Sequence, residues 1–249
     1  MYQWTPAEDS GGHFWFPKAL VENMNWAALH SSSKAVFPVL AIHADGRGLA
    51  HPGEERIAAL AGITDKTARE GLRRLSGFPA YLGSQYYKTK TGKRGRKYHV
   101  LLPRKGTVPE DMMDKGQTFP FHRIIIEGGN WAQLLPTAKA LYVAMRFFGF
   151  FEEYLYQEHE DGDFSFSDQG YTIFQDRRCD FCNADLNQLA RYAGIHRNQV
   201  TSALVNLIKY HLAEAIPDDG VIYKVYLRPP YIYKTSFLNE QTMQRKKVE

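Results

Sequence analysis

Cysteine is almost absent from this chain. Only Cys179 and Cys182 occur among its 249 residues, too close together to serve as a disulfide framework. That excludes the small disulfide-stapled class and points to a reducing, cytoplasmic setting. No apolar run of about 18 residues exists, so a membrane-spanning helix is not expected. The opening residues, MYQWTPAEDSGG, lack the basic-then-apolar layout of a signal peptide. Equally absent are a P-loop, a Gly-x-Gly-x-x-Gly turn and a serine elbow. Acid pairs such as Glu152-Glu153 have no basic or histidine partner at a useful spacing. Catalysis and a bound cofactor are therefore not expected. Cys179-Asp-Phe-Cys182 supplies half of a zinc spacing, with His159 the nearest further ligand, and a complete site needs two more. The expectation is no metal, and partly buried free thiols on a short strand.

What is present is a folding chain with an uneven charge pattern. Hydrophobic residues make up 44% and aromatic residues 14%, enough for packed cores. A net charge of +4 says little about partners, but its distribution says more. From Lys88 to Lys105, KTKTGKRGRKYHVLLPRK holds eight Lys or Arg and no acid. From Phe150 to Asp185 there are ten Asp or Glu against two Arg.

The chain also repeats itself. NWAALHSSSKAV from Asn25 matches NWAQLLPTAKAL from Asn130 at an offset of 105. The match extends upstream, with Phe14 over Phe119, Phe16 over Phe121, Lys18 over Arg123 and Glu22 over Glu127. It resumes at an offset of 132, where IAALAGITDKTAREGLRRL from Ile57 lies over LARYAGIHRNQVTSALVNL from Leu189. Ala58/Ala190, Ala61/Ala193, Gly62/Gly194, Ile63/Ile195, Leu72/Leu204 and Leu75/Leu207 coincide. The second copy thus carries an extra 27 residues between the two blocks. Two copies are too few for a solenoid and imply two tandem domains of one fold.

Each copy reads as an opening segment ending in Asn-Trp-Ala, then an apolar helix over 33–43 or 137–148. Pro38 is expected to kink or shorten the first of these. Trp26 and Trp131 are expected in the core, packing the opening segment against the first helix of each domain. Ile57, Ala58 and Ala61 form one helical face, Gly62 caps that helix in the left-handed conformation, and a second helix runs from about Thr64 to Leu75. Small residues at Ala58 and Ala190 let the two helices approach. A β-hairpin signal follows in each copy, with a Gly-rich basic turn in the first and Asp219-Gly220 in the second. Helix, helix-turn-helix and hairpin together make a winged helix, so the expected fold class is α+β with two tandem winged-helix domains. The expected bounds are 14–103, a polar linker 104–117, a second domain 118–230 with an acidic insertion at about 150–185, and a tail 231–249.

This order, with its Ser/Thr-x-Lys-Ala helix and Ala-Gly-Ile-Ser/Thr turn, resembles the winged helix-turn-helix domains of bacterial plasmid and phage replication initiators and related replisome proteins. The resemblance covers about residues 14–103 and 118–229. It implies duplex DNA as partner, read by the second helix of the pair with its N-terminal residues at base edges. In copy one that face holds Thr64, Asp65, Lys66, Thr67, Arg69, Glu70 and Arg73, with Arg69 foremost for bidentate guanine contact. In copy two it holds His196, Arg197, Asn198, Thr201, Ser202 and Asn206, with Lys209 further along. His196 departs from the hydroxyl residue the family places there. On the first hairpin, Lys88, Lys90, Lys93, Arg94, Arg96 and Lys97 form a cluster of one sign suited to phosphate. Asp218 and Asp219 at the second hairpin would be repelled by it.

The insertion shares the sign of DNA and is expected away from the duplex, as a protein-partner site, a self-association arm or a decoration of the fold. Its alternating aromatics suggest an extra hairpin. The expected function is sequence-specific double-stranded DNA binding, in replication initiation or replicon control on a mobile element. A transcription regulator, and a structural adaptor that binds proteins, are the alternatives. The expected location is cytoplasmic, on nucleoid or plasmid, with no membrane partner.

Overall fold

A computed structural model describes residues 12–45, 47–78, 82–88, 94–100, 118–150, 165–167, 171–174, 179–217, 221–227 and 231–234. The fold is mixed helix and strand. Copy one comprises β1 (His13–Pro17), α1 (Lys18–Glu22), α2 (Asn25–Ala28), α3 (Ser31–Ile42), β2 (Leu49–Ala50), α4 (Glu54–Ala61), α5 (Asp65–Leu75), β3 (Leu82–Lys88) and β4 (Arg94–Val100). Copy two runs through β5 (Thr118–His122), α6 (Ile124–Glu127), α7 (Asn130–Gln133) and α8 (Pro136–Phe147). After the insertion strands β6 (Ser165–Ser167) and β7 (Tyr171–Phe174), it continues with β8 (Cys179–Cys182), α9 (Leu186–Ala193), a 3-10 turn at Arg197–Gln199, α10 (Val200–Lys209), β9 (Ala213–Pro217) and β10 (Val221–Tyr226). β11 (Tyr231–Lys234) follows. The two copies build equivalent antiparallel sheets, ordered β2-β4-β3 and β8-β10-β9.

The copies are clasped rather than strung side by side. β1 and β5 pair antiparallel with Phe14 opposite Phe121, Phe16 opposite Phe119 and Trp15 opposite Pro120. In the repeat alignment Phe14 is the counterpart of Phe119 and Phe16 of Phe121. Each partner therefore meets the other's equivalent, and the Trp15–Pro120 pair sits on a local two-fold axis. Phe16 and Phe119 stack at 4.9 Å, Phe14 and Phe121 at 5.1 Å. Each tryptophan packs edge-on against its own opening strand, Trp26 on Phe16 and Trp131 on Phe121. The indole N–H groups then cross over. Trp26 Nε1 donates to Ala140 O at 3.1 Å, and Trp131 Nε1 donates to Ala35 O at 2.9 Å. The tryptophans are core residues as expected, but they join the copies rather than closing each one separately. One continuous apolar cluster holds Phe16, Val36 and Leu72 together with Phe121, Leu141 and Leu204.

The helix-linking glycines belong to the same clasp. Gly62 and Gly194 end α4 and α9 in the left-handed conformation, at φ of 65° and 63°. That conformation favours glycine. The stronger constraint is steric, and it reaches across the copies. A Cβ on Gly62 would stand 1.8 Å from Ala132 O, and one on Gly194 would stand 2.1 Å from Ala27 O. Ala27 and Ala132 are themselves repeat equivalents.

Lys34 and Lys139, the lysines of the repeated Lys-Ala pair, are buried here. Lys34 Nζ donates to Ala27 O at the end of α2 and to Ala193 O at the end of α9, placing a cation at two helix C-termini from different copies. Lys139 Nζ donates to Leu134 O. Burial lowers both ammonium groups to about 8.

Two expectations change. Pro38 does not shorten α3, which runs through it from Ser31 to Ile42. Its residues from Ser32 to Ile42 are all buried, and each large apolar side chain buried returns about 1.5–3 kcal/mol, which together exceeds the proline's cost of about 3 kcal/mol. Tyr231–Lys234, read from the sequence as the start of a tail, pairs with β7 of the insertion, which also pairs with β6. The linker 104–117, both hairpin tips and most of the insertion lie outside the described residues. Where the insertion rejoins the core, Arg146 bonds Asp180 at 2.5 Å and Pro120 O at 3.3 Å beneath the ring of Phe119.

Gly62→Ala and Gly194→Ala are each expected to cost about 3 kcal/mol or more in urea unfolding, combining left-handed strain with a backbone clash. Gly53→Ala, whose added carbon meets nothing within 4 Å, is expected to change stability by less than about 0.5 kcal/mol. Lys34 makes a second expectation. Between pH 8 and 10.5 the unfolded chain holds a proton that folded Lys34 has released, so its contribution to stability rises with pH across that window. Lys34→Met is expected to be less stable than wild type, with a gap that widens from pH 8 to 10, read by denaturant titration.

Candidate functional site

The corner between α4 and α5 projects a row of polar side chains. Thr64 starts α5, its hydroxyl accepting from the Thr67 N–H at 3.3 Å. Ala68, Leu72 and Leu75 are buried, and Gly71 is buried too because α3 passes against it. A Cβ at Gly71 would stand 2.7 Å from Ser32 O, and Ser33 Oγ donates to Gly71 O. With that face pinned, Thr64, Asp65, Lys66, Arg69, Arg73 and Arg74 point to solvent and Thr67 is half-buried. The apolar spacing in the sequence is enough to place this set on one side.

The charges in that row are not all of one sign. Glu70 accepts from Arg73 through both of its oxygens, at 2.8 Å each, and from Arg74 Nε at 2.6 Å. These bonds, that from Arg73 foremost, hold its carboxyl down at about 2. Arg69 Nε lies 3.0 Å from Glu54 Oε2 on α4. Across α4 and α5, Glu54, Glu55, Asp65 and Glu70 stand against Arg56, Lys66, Arg69, Arg73 and Arg74, leaving a nearly balanced surface. Sequence reading placed Asp65 and Glu70 on this face without pairing Glu70 to the arginines, and did not include Glu54. The Glu70 pairs follow helical spacing and were there to be found. The Glu54 pair depends on the corner and carries no local signal.

The β3–β4 hairpin carries the unbalanced charge. Its register sets Lys88 opposite Arg94, Tyr86 opposite Arg96 and Gln85 opposite Lys97. Arg96 shares a face with the buried Tyr98 and Val100, and its guanidinium carbon is 5.8 Å from the Tyr98 ring centre. Lys97 lies on the opposite face with the exposed His99. Strand alternation thus splits the basic run between two faces. Lys90 and Lys93, and the side chains of Lys88 and Arg94, lie outside the described residues.

Copy two presents a different surface at the equivalent place. His196 gives no hydroxyl cap; its backbone N–H bonds the Gln199 side chain, and the first turn is 3-10. His196, Arg197, Asn198, Thr201 and Ser202 are exposed. Arg197 Nε donates to Asn187 Oδ1, Ser202 Oγ donates to Gln199 O, and Asn206 Oδ1 accepts from the Leu135 N–H. Thr201 stands where copy one has Arg69, and Val205, 61% exposed, where it has Arg73. Ile208 is exposed further along α10, and Leu135, whose N–H bonds Asn206, is exposed as well. The offset of 132 was the signal for this exchange.

Cys182 is buried, and burial pushes its thiol up to about 11, which suits a packed side chain rather than a nucleophile. Among the described residues no cluster of three or more His, Cys, Asp or Glu side chains is placed to hold a metal ion. Among them, too, no helix is long and apolar enough to cross a membrane. In comparisons with protein-family models, curated proteins and solved structures, nothing matches the chain.

The Glu70 carboxyl is expected to titrate near pH 2 by carbonyl-detected NMR and to return toward 4.5 in an Arg73→Ala/Arg74→Ala chain. A wild-type value near 4.5 would show that the fork does not hold in solution.

Proposed function

We propose that the chain is a tandem winged-helix protein that binds double-stranded DNA with sequence preference, in replication initiation or replicon control. The observation that carries this reading is the exposed row from Thr64 to Arg73 on a helix held by a tight corner, in the same unit as a hairpin rich in Lys and Arg. In this reading α5 enters the major groove, Arg69 meets base edges, and the β3–β4 hairpin neutralises phosphates. The near balance of charge on α4 and α5 supports a division of labour. The hairpin supplies most of the attraction, and the helix supplies selection. A transcription regulator would use the same geometry with a different output.

A second reading, the structural adaptor, draws support from α10. Val205 in place of Arg73, with Ile208 exposed further along the helix, suits a protein surface better than a phosphate backbone. Both readings are compatible with copy one holding DNA while copy two engages protein.

Binding to random-sequence duplex, measured at two salt concentrations, tests the first reading. Affinity is expected to fall steeply with salt, by about 0.9 in log–log slope for each phosphate neutralised. Lys93→Ala is expected to weaken all sequences alike and to flatten that slope by about one such unit, whereas Arg69→Ala is expected to relax base preference at one position by about tenfold. Salt-independent or undetectable duplex binding would favour the adaptor.

A further inference from the structure

The Glu54–Arg69 pair is unlike the others on this surface. Glu54 lies in the first turn of α4 and Arg69 in the second turn of α5, 15 residues apart, joined only by the corner at Gly62. The Glu54 side chain is 39% exposed and that of Arg69 64%, so the arginine is the more open member of the pair. The contact engages Nε at 3.0 Å. An end-on fork of Nη1 and Nη2, one of the two ways arginine matches the O6 and N7 acceptors of guanine, is compatible with a carboxylate on Nε. An arginine side chain carries about 2 kcal/mol of rotamer entropy, and an opposite charge 3.0 Å from Nε removes part of it before any ligand arrives.

For plain affinity to a polyanion this carboxylate is a liability, because it sets a negative charge beside the cation that would meet phosphate. Its contribution is to selection. Copy two lacks both members, with Leu186 and Thr201 at the equivalent positions. We propose that Glu54 is a positioning residue that aims Arg69 at a base edge, raising the sequence selectivity of α5 and lowering its indiscriminate attraction to DNA. This rests on the DNA-binding reading of α5 given above.

Wild type, Glu54→Gln, Arg69→Ala and the double variant are each used to select from a random-sequence duplex pool. Affinity for the unselected pool and thermal melting are measured beside the selection. Glu54→Gln is expected to bind the unselected pool more tightly and to lose about threefold in preference at the base pair where Arg69→Ala loses about tenfold. In the Arg69→Ala background it is expected to change preference no further. Glu54→Asp, which keeps the charge but withdraws it by one methylene, is expected to broaden preference without the gain in pool affinity. Unchanged preference in Glu54→Gln and Glu54→Asp, or a further loss in the Arg69→Ala background, overturns the positioning role and leaves the DNA reading of α5 standing. Failure of wild type to select any sequence, or intact selection by Arg69→Ala, overturns that reading and this role together.

Discussion

The structure depends on an exchange of two hydrogen bonds. Trp26 donates into the third helix of the second copy, and Trp131 donates into the third helix of the first. An indole N–H buried without an acceptor would cost about 1–3 kcal/mol, so neither copy satisfies its own tryptophan in the absence of the other. Paired strands, stacked phenylalanines and the two helix-ending glycines surround that exchange with the same symmetry. Each half supplies what the other leaves open: an acceptor, a strand edge and a surface close enough to forbid a Cβ. The orientation of α4–α5 relative to α9–α10 is therefore set by packed backbone.

Within that symmetric frame the outer surfaces have diverged. The first copy shows guanidinium groups held by carboxylates on α4 and α5; the second shows threonine, valine and isoleucine on α10. Packing explains why the inward positions stay apolar in both copies, with Phe16/Phe121, Trp26/Trp131 and Leu72/Leu204 identical. The outward halves are free of that constraint and differ in charge, in cap and in hairpin composition. On the proposed reading this is a division between a copy that meets nucleic acid and a copy available to protein.

Helix positions were largely legible in the sequence because apolar spacing decides them. α5 begins at Asp65 with Thr64 as its cap, and the left-handed caps fall on Gly62 and Gly194. Which solvent-facing residues line α5 followed from the same spacing. What the sequence did not disclose was tertiary. Trp26 and Trp131 matched in frame, but their match could not say that each would bond the other copy. The Lys-Ala pair announced a repeat without announcing buried ammonium groups. Pro38 read as a kink or a shortening because local propensity ignores the burial that carries α3 through it. The Glu54–Arg69 contact was hidden for the same reason, since only the folded corner brings the two together.

The pairing of Trp15 with Pro120 has a consequence of its own. These are the same position in the two repeats, and on either side of them every strand pairing recurs with its members interchanged. That is the signature of an isologous interface, the kind formed when identical subunits meet about a two-fold axis. The polypeptide thus has the internal geometry of a dimer written as one chain. Covalent fusion turns subunit association into folding and makes it independent of protein concentration. It also frees one protomer-equivalent to change its outer face while the other keeps its own.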